Sequence, residues 1–220
     1  MAERPVFMPR PNAAGQELVE ALPVQFTWHP GMAPSQKMKN VSALHVAAAE
    51  RGIRRVLEVS TKSSQPMGKR LSAFNLILTS KEHGELTVES AFQGSKVFAE
   101  GGPYRDLFGL SGREIRRDER LGSGLVAFQF EGPPWDLEPK TAFYDWLYIR
   151  ALHAHGNLRE RVLEHAGFTD IEFNPKKSLN CQARSCALYV ALTQAGTLDA
   201  VLADRGLYLK TVSSNPGRVF

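Results

Sequence analysis

The sequence predicts an α+β fold: one mostly helical domain built around a small β-sheet. Three features predict it. Strand-like runs such as R-R-V-L-E-V-S and L-V-A-F-Q-F-E are short and confined to the first 131 residues. After G-P-P-W at 132–135 the chain carries helical periodicity almost throughout. Finally, 220 residues with 43% hydrophobic side chains suffice for one sizeable core.

The elements follow in chain order. Residues 1–34 are Pro-rich and read as an extended strap, with Phe26 and Trp28 laid over the domain. Residues 35–220 then form the single domain. Ser35 caps a helix through Val41, Leu44, His45 and Ala48, which Gly52 stops. R-R-V-L-E-V-S-T-K-S reads as a strand. S-S-Q-P-M-G-K-R-L reads as a loop, because Pro66 and Gly68 interrupt it, and L-S-A-F-N-L-I-L-T-S reads as a second strand. A turn at Gly84 leads into a short amphipathic helix, T-V-E-S-A-F-Q-G-S-K-V-F. G-G-P-Y-R-D-L-F-G-L is Gly-rich and aromatic. S-G-R-E-I-R-R-D-E-R opens a charged helix whose interleaved signs fit a solvated face better than a nucleic-acid stripe. L-V-A-F-Q-F-E alternates, with Val126, Phe128 and Phe130 on one face. Helices are then expected from Lys140 to about His155, Leu158 to Ala166, Ser178 to about Gln194, and Leu198 to about Asp204.

Composition narrows the function classes. A net charge of +4, from 27 basic and 23 acidic residues, tolerates a phosphate-bearing partner without demanding one. Cys181 and Cys186 are too few for a disulfide framework or a four-ligand zinc site, and read as small buried residues. The six histidines have no ligand spacing, so no metal or other cofactor is expected. No stretch nears the roughly 20 apolar residues that span a bilayer, and the N-terminus lacks a signal peptide's apolar run. A cytoplasmic protein without membrane partners is expected.

Chemistry concentrates in T-V-E-S-A-F-Q-G-S-K-V-F. On a helix, Val88, Ala91, Phe92, Ser95 and Ala99 share one face, while Glu89, Gln93, Lys96 and Glu100 make a neighbouring polar ridge. Glu89 and Lys96 would stand about 10 Å apart along the axis, near enough for both side chains to close on one small ligand. The competing reading is a solvated face steadied by weak pairs at three- and four-residue spacing. Gly94 costs roughly 1 kcal/mol against alanine within a helix, which suggests close approach by another backbone or a ligand.

E-S-A-F-Q-G-S-K closely resembles the E-H-x-F-Q-x-x-K core of the NADAR, or YbiA-like, family. S-A-F at 72–74 is similar to that family's S-N-F, and S-G-R-E at 111–114 to its S-P-x-x-A. Trp135, Phe143 and W-L-x-x-R are similar to its W-x7-M-x2-A-L-x2-K helix. L-R-E-R-V-L-E-H-A-G-F-T-D-I-E-F-N-P resembles its L-R-x-L-L-x-x-T-G and the L-V-E that follows. The longer strings K-R-L-S-A-F-N-L, G-G-P-Y-R-D-L, L-E-P-K-T-A-F-Y-D-W-L-Y-I and F-T-D-I-E-F-N-P-K-K-S-L-N-C-Q-A look closest to NADAR antitoxins encoded beside DarT-type DNA ADP-ribosyltransferase toxins. Two departures stand out: Ser90 replaces the motif histidine, and K-K-S-L-N-C-Q-A replaces an Asp-x-x-Trp-Gly segment.

The resemblance implies a hydrolase that removes ADP-ribose from guanine bases in single-stranded DNA and so reverses a DarT-type toxin, itself a candidate direct partner. It implies catalytic roles for Glu89, Lys96 and a late acid, either Asp170 or Glu172, of which Glu172 fits the family's L-V-E position better. Cleaving the N-glycosidic bond builds positive charge on the ribose and negative charge on the leaving base, so it needs a carboxylate by the sugar and a proton source. Lys96 has two open roles: a cation on ribose or phosphate, or an amine forming a Schiff base with ring-opened ribose. Substrate contacts fall to Lys69 and Arg70 for the diphosphate, to Ser72, Phe74 and Gln93, and to Trp135 as a stacking surface, against the plain alternatives that Lys69 and Arg70 edge a strand and that Trp135 is a core or staple residue. Two rival readings stand beside this one: a non-catalytic module that binds ADP-ribosylated DNA or the toxin, and an N-glycosidase acting on a phosphorylated riboflavin-pathway metabolite.

Overall fold

A computed structural model describes residues 1–11, 17–115, 117–122, 124–175 and 178–213. Arg116 of the charged run, Lys176 and Lys177 of K-K-S-L-N-C-Q-A, and the end of the chain lie outside these residues. The fold is α+β, as the sequence predicts.

The Pro-rich opening departs most from expectation. β1 (Ala2–Pro9) and β2 (Val19–Phe26) pair antiparallel, Ala2 opposite Phe26 and Pro9 opposite Val19, so this segment is built into the sheet and does not lie across it. α1 (Pro34–Glu50) starts one residue before the expected cap: Ala33 is the N-cap and Pro34 takes the first turn, where its missing N–H costs nothing. β3 (Val56–Glu58) follows. The segment expected as a loop contains α2 (Pro66–Arg70), again with proline in the first turn. The second expected strand shrinks to β4 (Ile77–Ser80), which pairs with β5 (Gly84–Thr87) around the Gly84 turn at φ +72°.

α3 (Val88–Gly94) is shorter than predicted. It ends at Gly94, where only glycine fits: a Cβ there would stand 2.5 Å from the Phe108 ring and 3.0 Å from the Tyr104 carbonyl oxygen. Lys96 therefore begins a strand, β6 (Lys96–Phe98). A 3-10 turn (Arg105–Gly109) and α4 (Gly112–Ile115) lead to β7 (Leu125–Phe128), which pairs antiparallel with β6. A register shift at Val97/Phe98 breaks the predicted alternation, and Val126 is 52% exposed while Phe128 and Phe130 are buried. α5 (Ala142–Ala154) matches expectation closely, whereas α6 (Gly156–Arg161) starts two residues early and gives way to a 3-10 turn (Val162–Glu164) before the expected end at Ala166. The unpredicted strand β8 (Gly167–Thr169) precedes α7 (Gln182–Gln194), α8 (Leu198–Ala203) and a further helix, α9 (Arg205–Ser213).

The main sheet runs β2-β1-β8-β3, with β8 antiparallel to β1 and parallel to β3. Alternation along its strands separates two apolar layers. Val6 and Val56 pack with Val41, Leu44 and Ala48 of α1, whereas Phe7 and Leu57 join the larger core of α5 and α7. The sheet is thus covered on both faces.

Gly68 sits where α2 meets the end of β3, and a Cβ there would overlap the Glu58 carbonyl oxygen and the Ser63 side chain. Gly68→Ala is expected to lower stability by roughly 2–3 kcal/mol, because a backbone atom and not a flexible tip must move. Urea unfolding of the variant against the wild type checks this.

Candidate active site

Parallel strands that end together bring their following residues together, and open sheets commonly bind ligands at those carboxyl ends. Glu58 is in register with Thr169, so Glu58 and Asp170 lie side by side at the ends of β3 and β8. Glu58 is 1% exposed. Its Oε1 accepts from Ser60 Oγ at 2.6 Å and the Ile171 N–H at 2.9 Å, and its Oε2 from Thr169 Oγ1 at 2.7 Å. Burial, reinforced by the charge of Asp170, pushes the Glu58 carboxyl up to about 8. Burial also raises Asp170, to about 6, against hydrogen bonds from the Glu172 amide and from Gln182. Those two bonds are 3.0 Å each.

From Asp170 a hydrogen-bonded line runs to the helix carrying the central motif. Gln182 Nε2 donates to Asp170, while Gln182 Oε1 accepts the Ala73 N–H at 2.7 Å. The Ala73 carbonyl accepts the Glu89 N–H at 3.0 Å. Glu89 stands in the first turn of α3, where the helix dipole favours a carboxylate, and Gln93 Nε2 donates to its Oε1 at 3.0 Å. Thr87 caps this helix: its Oγ1 accepts the Ser90 N–H at 3.1 Å, and the Ser90 hydroxyl donates to the Thr87 carbonyl at 3.0 Å.

Lys96 lies beyond the helix, half-buried, its ammonium 5.1 Å from the centre of the Phe92 ring. Burial lowers its pKa, and the negative charge of Glu89 opposes that shift. Lys96 lines a cavity of about 430 Å³ with Phe92, Phe128, Phe143, Tyr144, Thr141 and Asn180, and Asp136 and Glu138 stand at its polar edge. Tyr144 is fully buried and its hydroxyl is pushed well above its ordinary pKa, first by burial and then by negative charge at Glu89, Cys181 and Asp170. Tyr144 therefore keeps its proton near neutral pH, a hydrogen-bond donor within electrostatic reach of both acids. Thr141 at the cavity edge holds a left-handed φ of 68°, and its hydroxyl donates to Asp145 at 2.8 Å. Asp145 also takes Ser185 at 2.6 Å and pairs with Arg184, which anchors α5 to α7.

The sequence candidates divide. Glu89, Gln93, Lys96 and Asp170 converge, and Ser72 and Phe74 flank the Ala73 link. Ser72 is wholly buried, and its hydroxyl has no hydrogen-bond partner among the described residues. The Phe74 ring lies against Gly112, so the S-A-F and S-G-R-E segments touch. Lys69 and Arg70 are exposed at the end of α2. Glu172 turns outward, 42% exposed, and pairs with Lys37 at 2.9 Å. Trp135, expected as a stacking surface, is 4% exposed among Phe143, Trp146 and Tyr208, with the Arg205 guanidinium 3.9 Å from its ring centre. It is placed in the core because α9 folds back over it. Sequence reasoning missed Glu58, Tyr144 and Gln182. The available signal was an acid inside the apolar run V-L-E-V and the presence of the other two in L-E-P-K-T-A-F-Y and K-K-S-L-N-C-Q-A. Among the described residues no cluster of His, Cys, Asp and Glu could hold a metal ion, and no helix is long and apolar enough to cross a membrane.

Residues 2–218 match the sequence model of a family described as DarT1-associated NADAR antitoxin. No curated protein matches the chain.

The buried groups set a pH dependence of stability. Glu58 has a folded pKa raised from 4.5, so its contribution is present below pH 4.5 and lost as pH rises through about 8. His45 is pushed down by burial from 6.5 to about 4, so its contribution is present above pH 6.5 and lost as pH falls through about 4. Glu58→Gln is expected to remove most of the decline between pH 4.5 and about 8 and to leave the His45 loss toward pH 4 in place. Urea midpoints from pH 4 to pH 9 measure it, and an unaltered slope between pH 6.5 and about 8 would reject the assignment.

Proposed function

Because the chain belongs to the DarT1-associated NADAR antitoxins, we propose that it counters its toxin by hydrolysing the N-glycosidic bond between ADP-ribose and guanine in single-stranded DNA. The observation that supports this most is the junction of two acids, Glu89 and Asp170, through Ala73 and Gln182, beside an aromatic cavity that also holds Lys96.

The chemistry follows from the residues. As the bond from C1″ to the guanine nitrogen lengthens, the electron pair leaves with the base and positive charge grows on the ribose. Glu89, fixed by Gln93 and the first turn of α3, supplies the carboxylate that steadies this charge and takes a proton from the attacking water. The water oxygen joins C1″. Asp170, held near 6, retains a proton on part of the molecules at neutral pH and suits the donor role toward the departing guanine. Tyr144 supplies a second donor where that negative charge appears. Lys96 acts as a cation on the ribose or a phosphate, since Glu89 offsets part of the effect of burial. The aromatic walls of the cavity suit a purine, and the exposed Lys69 and Arg70 suit the phosphates of the adduct.

Multiple-turnover release of free ADP-ribose from an oligonucleotide bearing ADP-ribosyl guanine, with the thymine-linked adduct as control, tests this reading. Release from guanine alone, in excess over enzyme, is the expected result; tight binding without turnover would mark a sequestering module instead. Glu89→Gln is expected to lose roughly 10²–10⁴-fold in kcat with unchanged unfolding. Cyanoborohydride trapping separates the two roles of Lys96: a covalent adduct at Lys96 would replace the cation with a Schiff base.

A further inference from the structure

We propose that Glu58 is the positioning residue of this site, a buried carboxyl that grips the chain on both sides of Asp170 and fixes the direction of the Asp170 carboxylate. The inference rests on the reading of Asp170 as the proton donor. Thr169 and Ile171, the two neighbours of Asp170, bond to opposite oxygens of Glu58, and Ser60 adds a third bond. With both flanks clamped, the Asp170 side chain faces Gln182 and the Ala73 link. Packing alone gives no reason for an acid here, since Leu57 and Val59 on either side are fully buried and apolar. A carboxyl in such a place costs desolvation that its three hydrogen bonds only offset, so its retention calls for a use.

The clamp works as a neutral group. The groups facing it are Asp170 past β8, His45 of α1 and Cys181 before α7, while Arg4 of β1 and Glu172 face Asp170. His45 Nε2 lies 2.9 Å from Thr169 Oγ1, which in turn bonds Glu58 Oε2, so a line of exchangeable protons connects α1 to Glu58. Asp170 gives up its proton before Glu58 does, and only above about pH 8 do two negative charges share the space. Repulsion at that point pushes Asp170 off its bearing and activity falls.

The test is a pH profile of kcat and KM for ADP-ribose release by the wild type, Glu58→Gln and Glu58→Ala, joined to a carboxyl carbon NMR titration of the ligand-free full chain. Glutamine keeps the shape but cannot ionise. It is expected to hold kcat at pH 7 within about threefold, to keep the decline that follows Asp170 near pH 6, and to lose the second decline near pH 8, a change that a merely structural role would not produce. Alanine is expected to lose roughly 30- to 100-fold in kcat with KM within about threefold, because a slightly misaimed donor acts on a substrate bound as before. In the titration, Glu58 should lose its proton after Asp170. A second decline near pH 8 that persists in Glu58→Gln, a folded Glu58→Ala with wild-type kcat, or a Glu58 signal titrating with surface glutamates overturns the inference. A wild type that shows the late Glu58 titration but releases no ADP-ribose supports the clamp and overturns the functional reading that it serves.

Discussion

The side-chain amide of Gln182 is the interaction on which the rest of the site depends. An amide can accept and donate at once, and Gln182 does both while buried: it accepts from the Ala73 backbone and donates to Asp170. Three elements distant in sequence meet at that one group, namely the start of α7, the S-A-F turn and the end of β8. A fourth joins through Ala73, whose carbonyl takes the N–H of Glu89. Such a network is stabilising only when complete, since each bond lost leaves a buried partner unsatisfied. The same bonds that seat α7 on the sheet therefore set the spacing of the two acids.

The sheet makes this junction possible. Two parallel neighbours need a long crossover, and here it runs from residue 59 to residue 166 and carries α2 through α6. Everything that walls the cavity except the 179–180 segment belongs to that crossover, while Glu58 and Asp170 close it at either end. The N-terminal hairpin then covers β8 with β1 and brings Arg4 toward Asp170 and Glu172, whose charges oppose the lowering of the Arg4 pKa by burial. A site rich in acids is thereby tempered by cations from three directions: Arg4, Lys37 on Glu172, and Lys96 by Glu89.

Long periodic segments were legible in the sequence. α5, α7 and α8 lie close to their predicted ranges, and Glu89 and Gln93 share a polar ridge because α3 really is helical there. The misses have separate physical causes. β8 has three residues, too few for any alternation to show, yet it carries Thr169 and precedes Asp170. The prolines of the opening argued against a sheet strand, but β1 and β2 pair along their full length with Pro5 opposite Pro23. S-K-V-F continues the helical pattern past Gly94, and the pairing of Lys96–Phe98 with β7, remote in sequence, makes it a strand instead. Trp135 looked available for stacking because nothing in its own segment announces that α9 returns to cover it.

The change in the position of Lys96 alters how its role must be understood. On a continuous helix, Glu89 and Lys96 would have been two posts of one ridge, each approaching a ligand independently. Placed on a strand and half-buried, Lys96 is instead lowered by desolvation and held back by the Glu89 charge, so the protonation of one side chain depends on the ionisation of the other. Removing Glu89 therefore does more than delete a carboxylate: it also biases Lys96 toward the neutral amine, the form that could add to a ring-opened sugar. Single substitutions at the two positions cannot be read as separate contributions, and only a double-mutant cycle across them measures how much of each loss is shared.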